Sequence, residues 1–199
     1  MLEIFHSRRS RSFRIVWLAE EMRLPYKIKS EILGNPSPEC LAISPSGKLP
    51  AIRDGAVKMN ESVAIMIYLT QKYGPTPIAP VLNDARYSDY LLFLVFGEAS
   101  MAAILNPVLR TLFSAPEDQK QNFTINAAKE IFCLRIKDLA AQLEKAEYVA
   151  GDFSAADISV GWSLGLGAVL GLDAEYPRAV ADYFARLKSR PAFQTAEVA

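Results

Sequence analysis

Histidine and cysteine are nearly missing from this chain. His6 is the only histidine in 199 residues, and the two cysteines, Cys40 and Cys133, stand far apart and outside any C-x-x-C spacing. That scarcity excludes the ligand clusters of a structural zinc site and any disulfide framework, and it suits two small core thiols in a reducing compartment. No metal is expected. An excess of charge of either sign is also lacking, with 22 Lys and Arg against 22 Asp and Glu. The chain as a whole carries no electrostatic footprint for nucleic acid or an acidic membrane, so any charged ligand must be met locally. No membrane span is read either: the longest weakly polar stretch taken from the sequence, residues 160–172, is too short to cross a bilayer and is broken by Ser163 and glycines. Met1-Leu2-Glu3-Ile4-Phe5 has no basic leader before an apolar stretch, so no signal peptide is read and a cytoplasmic setting is expected. Gly161-Trp162-Ser163-Leu164-Gly165 fits the G-x-S-x-G pattern of hydrolases, but it lacks a preceding strand and a later histidine. Those glycines, with Gly167 and Gly171, are read instead as points of close helix approach. The two sequons, at Asn60 and Asn122, have no bearing without secretion.

What is present is enough apolar material, 51% of residues, for a sizeable core. Its patterning changes character along the chain. Leu2 to His6 alternates as a strand; Phe13, Trp17 and Ile15, Leu18, Met22 recur at helical spacing; Tyr26 to Lys29 alternates again. Asn35-Pro36-Ser37-Pro38 breaks the chain before a short helix through Ala42. Two strands follow, Leu49 to Arg53 and Ala56 to Lys58, joined by Asp54-Gly55 with the composition of a tight hairpin. A helix from about Glu61 closes a βαβαββα order. Gly74-Pro75-Thr76-Pro77-Ile78-Ala79-Pro80 cannot continue a helix and reads as a linker. Beyond it only helical patterns are found, over about 84–113, 117–145, 154–171 and 176–189, with Pro107 expected to kink the first. The predicted domains are therefore 1–79, α/β, and 84–199, all-α. Ser154-Ala155-Ala156-Asp157 has the spacing of a capping box and is assigned a structural role.

Chemistry concentrates in the first domain. Ser46-Gly47-Lys48-Leu49-Pro50 stands directly before a strand, a place where a cis proline would expose the Leu49 backbone for pairing with an extended peptide. Asn60-Glu61-Ser62 stands at a helix start, whose free amide hydrogens and positive dipole end suit a carboxylate. Ser62 adds a hydroxyl donor, and Glu61 can pair with an α-amino group, so together they match the charged end of an amino-acid or γ-glutamyl ligand.

The run Ser46 to Ile52, Asp54-Gly55 and Asn60 to Leu69 resembles the glutathione-binding half of the cytosolic glutathione transferases. Ser10 to Glu21 resembles that family's first helix, and Tyr148 to Ile158 its capping motif in the second domain, so the likeness covers nearly the whole chain. The resemblance implies a thioredoxin-like N-terminal domain, a helical-bundle C-terminal domain and a homodimer. It implies that Leu49 and a cis Pro50 bind the cysteinyl backbone of glutathione as co-substrate. Glu61 and Ser62 would take the γ-glutamyl end, and Lys48 the glycyl carboxylate. It also implies detoxifying conjugation of the thiolate to a small hydrophobic electrophile, received against an apolar wall of Phe93, Phe96, Ala99, Ala103 and Pro107 between the domains; the same residues would serve equally as core.

The thiol-activating donor is less directly given. Where some members carry tyrosine this chain has Phe5, which has no hydroxyl. Ser10, before the Arg11-Ser12-Phe13-Arg14 helix start, is the favoured catalytic hydroxyl, and Ser7 is the other; each would otherwise cap the helix. Arg8, Arg9, Arg11 and Arg14 form the densest basic cluster, either a solvated face or a carboxylate attractor. His6 is read as structural. Two alternatives keep the site and change the outcome: a glutathione-dependent isomerase of the maleylacetoacetate type, from which Arg8 and Arg9 depart, and a non-catalytic binding module, favoured by Phe5.

Overall fold

A computed structural model describes residues 1–199. The chain divides into two units, one formed by residues 1–79 together with 188–199, the other by residues 80–187.

In the first unit the order is β1 (Leu2–His6), α1 (Phe13–Glu21), β2 (Tyr26–Ser30), α2 (Pro38–Leu41), β3 (Ala51–Asp54), β4 (Val57–Asn60) and α3 (Ser62–Lys72). This is the expected βαβαββα chain. The sheet is mixed, in the order β2-β1-β3-β4, with β1 parallel to β2 and antiparallel to β3, and β4 antiparallel to β3. A βαβ crossover followed by a hairpin gives the thioredoxin-like fold. The hairpin lies two residues later than the sequence reading placed its first strand. Pro50 has no amide hydrogen to give to the ladder, so pairing begins only at Ala51, and the turn falls on Gly55 (φ 63°) and Ala56. Ile4, Phe5, Ile15, Trp17, Leu18, Ile52, Ile65, Met66 and Leu69 are fully buried and form the core. At the far end of α3, the Asp54 carboxylate accepts hydrogen bonds from Lys72, Tyr68 and Tyr73. Burial raises the Asp54 pKa, but these donors outweigh it and hold the carboxyl below its ordinary range.

The first unit also includes a helix that the sequence reading did not separate, α9 (Pro191–Val198). Pro191 sits in its first turn, where a missing amide hydrogen costs nothing, and it starts a new helix where a single one had been expected to run out. Phe193 meets Phe13 and Trp17 edge-on at centroid distances of 5.0 and 4.9 Å, and Arg190 donates twice to the Glu21 carboxylate at 2.6 and 2.8 Å. This aromatic and charged seam ties α9 to α1.

The second unit is helical: α4 (Tyr87–Phe96), α5 (Asn106–Ser114), α6 (Phe123–Leu143), α7 (Ala155–Val169) and α8 (Arg178–Lys188), the last ending at the boundary. Between α4 and α5 the chain stays helical but winds irregularly, as a wide turn over Gly97–Ala102 and a tight one over Ala103–Leu105. Pro107 cannot donate to the carbonyl four residues back, so the disturbance falls on its N-terminal side. Residues 87–114 are long and apolar enough to cross a membrane by length and composition alone. In this fold the stretch packs on α7, where Ser159 and Ser163 donate to the carbonyls of Leu94 and Gly97 at 2.8 and 2.6 Å. The helix expected from residue 117 starts at 123, because Asn122 accepts the Ile125 amide and caps it there. The capping box at Ser154 is present, and fully buried Asp157 accepts from the amides of Val149 and Ser154 and the hydroxyls of Ser154 and Tyr183. Burial pushes its carboxyl up to about 6 against those four bonds.

Close helix approach is carried by a glycine that the sequence reading did not name. A Cβ on Gly97 would lie 2.5 Å from Ser159 Oγ and 2.6 Å from its carbonyl carbon. Gly167 is similarly hemmed in by Phe132 at 2.8 Å, whereas Gly171 (φ 72°) serves a turn and has open space around it. Gly97→Ala should therefore push the α7 backbone away and lower urea stability by about 1–3 kcal/mol. Gly165→Ala, whose Cβ meets only the Phe184 ring at 3.7 Å, should be neutral or slightly stabilising. Equal losses in the two variants would show that crowding at Gly97 is not what sets the packing.

Candidate functional site

Strand register brings three separate segments to one end of the sheet. Phe5 pairs with Ala51, and Ala51 with Asn60. The residues that continue past these positions are His6 and Ser7 on one strand, Pro50 and Leu49 on the next, Glu61 and Ser62 on the third. Ser7, Leu49, Pro50, Glu61 and Ser62, which lie far apart in sequence, are therefore gathered at this edge by backbone pairing alone.

The Leu49–Pro50 peptide is cis, and both residues are buried. The loop before it is held by its own polar atoms: the Ser44 hydroxyl donates to the Lys48 carbonyl at 2.8 Å, and the Gly47 amide to the Ser44 carbonyl at 2.8 Å. Gly47 is left-handed (φ 67°), and a side chain there would press on Pro36 at 3.1 Å, so glycine is required on both counts. Lys48 is exposed at the rim.

At the start of α3, Glu61 has φ 72° and ψ 106°, a region that costs a non-glycine residue about 1–3 kcal/mol. Its side chain is exposed, while Ser62 is only 3% exposed. The Ser62 hydroxyl oxygen accepts from Arg14 Nη1 at 3.1 Å. A guanidinium can only donate, so this contact leaves the Ser62 hydrogen free to turn outward beside the first amides of α3. The result is a donor cluster with a buried cation behind it, suited to a carboxylate.

The arginine cluster divides accordingly. Arg14 is fully buried in α1 rather than part of a solvated face; Arg8 and Arg9 are exposed, Arg9 with φ 62°, and Arg11 is half-buried. Arg8 donates to the Glu197 carbonyl at 3.2 Å. Sequence reasoning missed the role of Arg14, although a signal was there: it lies three and four residues before Trp17 and Leu18, on their buried face.

The serine loop is the densest polar knot in the first unit. Ser10, 8% exposed, has its oxygen 2.6 Å from Ser12 Oγ and accepts the Ser12 amide at 3.2 Å. Ser12 Oγ lies 2.8 Å from His6 Nδ1, accepts the Ser7 amide at 3.3 Å and lies 3.3 Å from the Ser7 carbonyl. Ser7 is half-buried. Ser12 was not singled out by the sequence. His6 is buried, and its pKa lies below the ordinary value: desolvation lowers it, a contact with the Ala199 backbone opposes this, and nearby Arg8 adds to the lowering. Cys40, the nearest thiol in sequence, is buried, and burial pushes its pKa up, which disfavours the thiolate.

The residues expected to receive a second substrate lie in the second unit. Phe96 is half-buried and lines an apolar groove of about 470 Å³ with Ser88, Leu91, Leu92, Val95 and Ser100. Exposed Ala99 and half-buried Ala103 do not line that groove. Phe93 is 6% exposed and belongs to the core.

The thioredoxin-like unit thus presents, at one end of its sheet, a cis-proline edge and a helix N-terminus with a buried serine hydroxyl. Residues 4–77 match the family described as glutathione S-transferase, N-terminal domain. The chain is 39% identical over 103 residues to glutathione S-transferase 3 of Schizosaccharomyces pombe, covering 51% of this chain and 43% of that protein. It is 32% identical over 172 residues to a probable glutathione S-transferase, GSTF2, of Oryza sativa, covering 79% of this chain and 76% of that protein. A crystal structure of a glutathione transferase from Methylococcus capsulatus superposes with a TM-score of 0.87 at 20% identity, over 100% of this chain and 98% of that one. The chain belongs to the glutathione S-transferase family. Its match thus spans less than half the length of the yeast relative and about three quarters of the rice one.

Removing the Ser62 hydroxyl tests the donor cluster. Ser62→Ala leaves Arg14 without this acceptor and should cost about 1–3 kcal/mol of stability in urea titration. Ser62→Thr, which restores the hydroxyl, should recover most of it; an unaltered midpoint in Ser62→Ala would mean that the Arg14 contact carries no weight.

Proposed function

We propose that the chain is a glutathione transferase that activates the thiol of glutathione for attack on small apolar electrophiles. The observation that carries this reading is the convergence, at one sheet end, of the Leu49–Pro50 backbone, the Ser62 and α3 donor cluster, and a loop of serine hydroxyls. Each supports contact with a different part of the tripeptide. The backbone at Leu49 suits pairing with the cysteinyl residue. Glu61, Ser62 and the α3 amides suit the zwitterionic γ-glutamyl end, and rim-placed Lys48 suits the glycyl carboxylate. The serine loop then faces the sulfur, with Ser10 as the principal hydroxyl and Ser7 as a second donor. A free thiol of pKa about 8.5 is only about 3% ionised at pH 7, and lowering that value by about two units gives about 75% thiolate. Hydroxyl donation at a helix N-terminus supplies that order of stabilisation. The electrophile is a small apolar molecule, and a receiving surface without fixed polar groups supports broad rather than narrow selectivity. Membership in this family supports a cytoplasmic homodimer with a role in detoxification.

Thiolate absorbance of bound glutathione against pH tests the reading. The parent should titrate well below 8.5, Ser10→Ala should move most of the way back, and Ser7→Ala should move less. Tight binding with an unshifted thiol would replace the enzyme by a binding module, and turnover of maleylacetone without glutathione consumption would replace conjugation by isomerisation.

A further inference from the structure

The serine loop holds more than a simple hydroxyl donor. Three heteroatoms stand in line: Ser10 Oγ, Ser12 Oγ at 2.6 Å from it, and His6 Nδ1 at 2.8 Å from Ser12 Oγ. Each serine has one hydrogen to give. If His6 is neutral with its proton on Nε2, Ser12 donates to Nδ1, Ser10 donates to Ser12, and the outer face of Ser10 is a bare lone pair. If Nδ1 carries a proton it donates to Ser12; when Ser12 then gives its own hydrogen to Ser10, at 2.6 Å, rather than to the Ser7 carbonyl, at 3.3 Å, the Ser10 hydrogen points outward.

The ring is buried, which favours its neutral form, and nearby Arg8 adds to this while the Ala199 backbone opposes it. Nδ1 lies 2.8 Å from Ser12 Oγ, and Nε2 is buried without a hydrogen-bond partner. The relay takes the neutral ring with its proton on Nε2, the form in which Nδ1 accepts from Ser12 and the free loop presents an acceptor, not a donor, to whatever sits outside Ser10.

We infer that Ser10, Ser12 and His6 form a proton relay in which His6 is the terminal acceptor for the thiol proton of glutathione, a positioning residue acting through the two serines. This rests on the reading of the site as a glutathione site. In the step, the S–H bond breaks and its proton goes to Ser10 Oγ. The original Ser10 proton passes to Ser12 Oγ, and that of Ser12 to His6 Nδ1. The sulfur keeps the electron pair as thiolate, the ring becomes imidazolium, and no oxidant or further reactant is needed. The same transfer reverses the line, so that Ser10 ends as a donor to the thiolate it has produced. Burial makes the imidazolium short-lived once the sulfur charge is consumed, and the proton is then free to return along the line to a developing carbanion or leaving group.

Because His6 is the only histidine in the chain, its ring resonances identify themselves in an NMR spectrum. Adding glutathione at pH 7 should convert the ring from the neutral Nε2–H pattern to imidazolium in step with thiolate absorbance, while S-methylglutathione, which has no thiol proton, should leave it neutral. Ser12→Ala should uncouple the two signals and raise the bound-thiol pKa by about one unit, a tenfold change in ionisation at fixed pH. Ser12→Thr should restore the coupling. Thiolate formation in the parent with a ring that stays neutral overturns the relay but leaves the glutathione site standing. Failure of both glutathione and S-methylglutathione to bind, measured by calorimetry, overturns the site and the relay with it.

Discussion

The pairing of Phe5 with Ala51 and of Ala51 with Asn60 is the constraint from which the site follows. Side-chain period in a strand is two, so a slip of one residue in either ladder would turn Ile4 and Ile52 out of the core and carry the serine loop, the cis proline and the α3 start to different heights. The core residues on these strands are fully buried, which makes such a slip prohibitively costly. The polar groups gathered at this sheet end are thus fixed by apolar packing that has no chemistry of its own. Arg14 and Ser62 extend the same logic across the helices, since a single buried hydrogen bond between them links the first turns of α1 and α3.

Much of this was legible in the residues. Alternation and helical spacing gave the order of elements, Asp54-Gly55 marked the hairpin, and the proline and serine positions around 50 and 62 marked the polar edge. What was not legible depended on three dimensions. Ser12 and Ser10 look alike on paper, and only the closure of the loop back onto β1 puts His6 Nδ1 against Ser12 rather than Ser10. Gly97 lies in an unremarkable run, Phe96-Gly97-Glu98-Ala99, and its need for a missing side chain appears only when Ser159 of a distant helix is laid across it. Helix α9 was hidden by Arg190-Pro191, which reads as a stop but is also a good start.

Phe5 brings no hydroxyl to the end of β1, and its environment favours that. Phe5 is fully buried and packs with Cys40, Leu49 and Ala51, so its ring supports the chain that carries the cis proline. A tyrosine there would place its phenol oxygen against apolar neighbours, where an unpaired hydroxyl is costly. Burial of β1 up to its last residue, His6, pushes all exposed polar function into the loop that follows. That loop has three serines, Ser7, Ser10 and Ser12, and a buried imidazole within hydrogen-bond reach of Ser12, to which Ser10 is joined in turn. A serine linked to an acceptor behind it can take a proton as well as give one, and under the function proposed above it is this loop, not β1, that would meet the thiol.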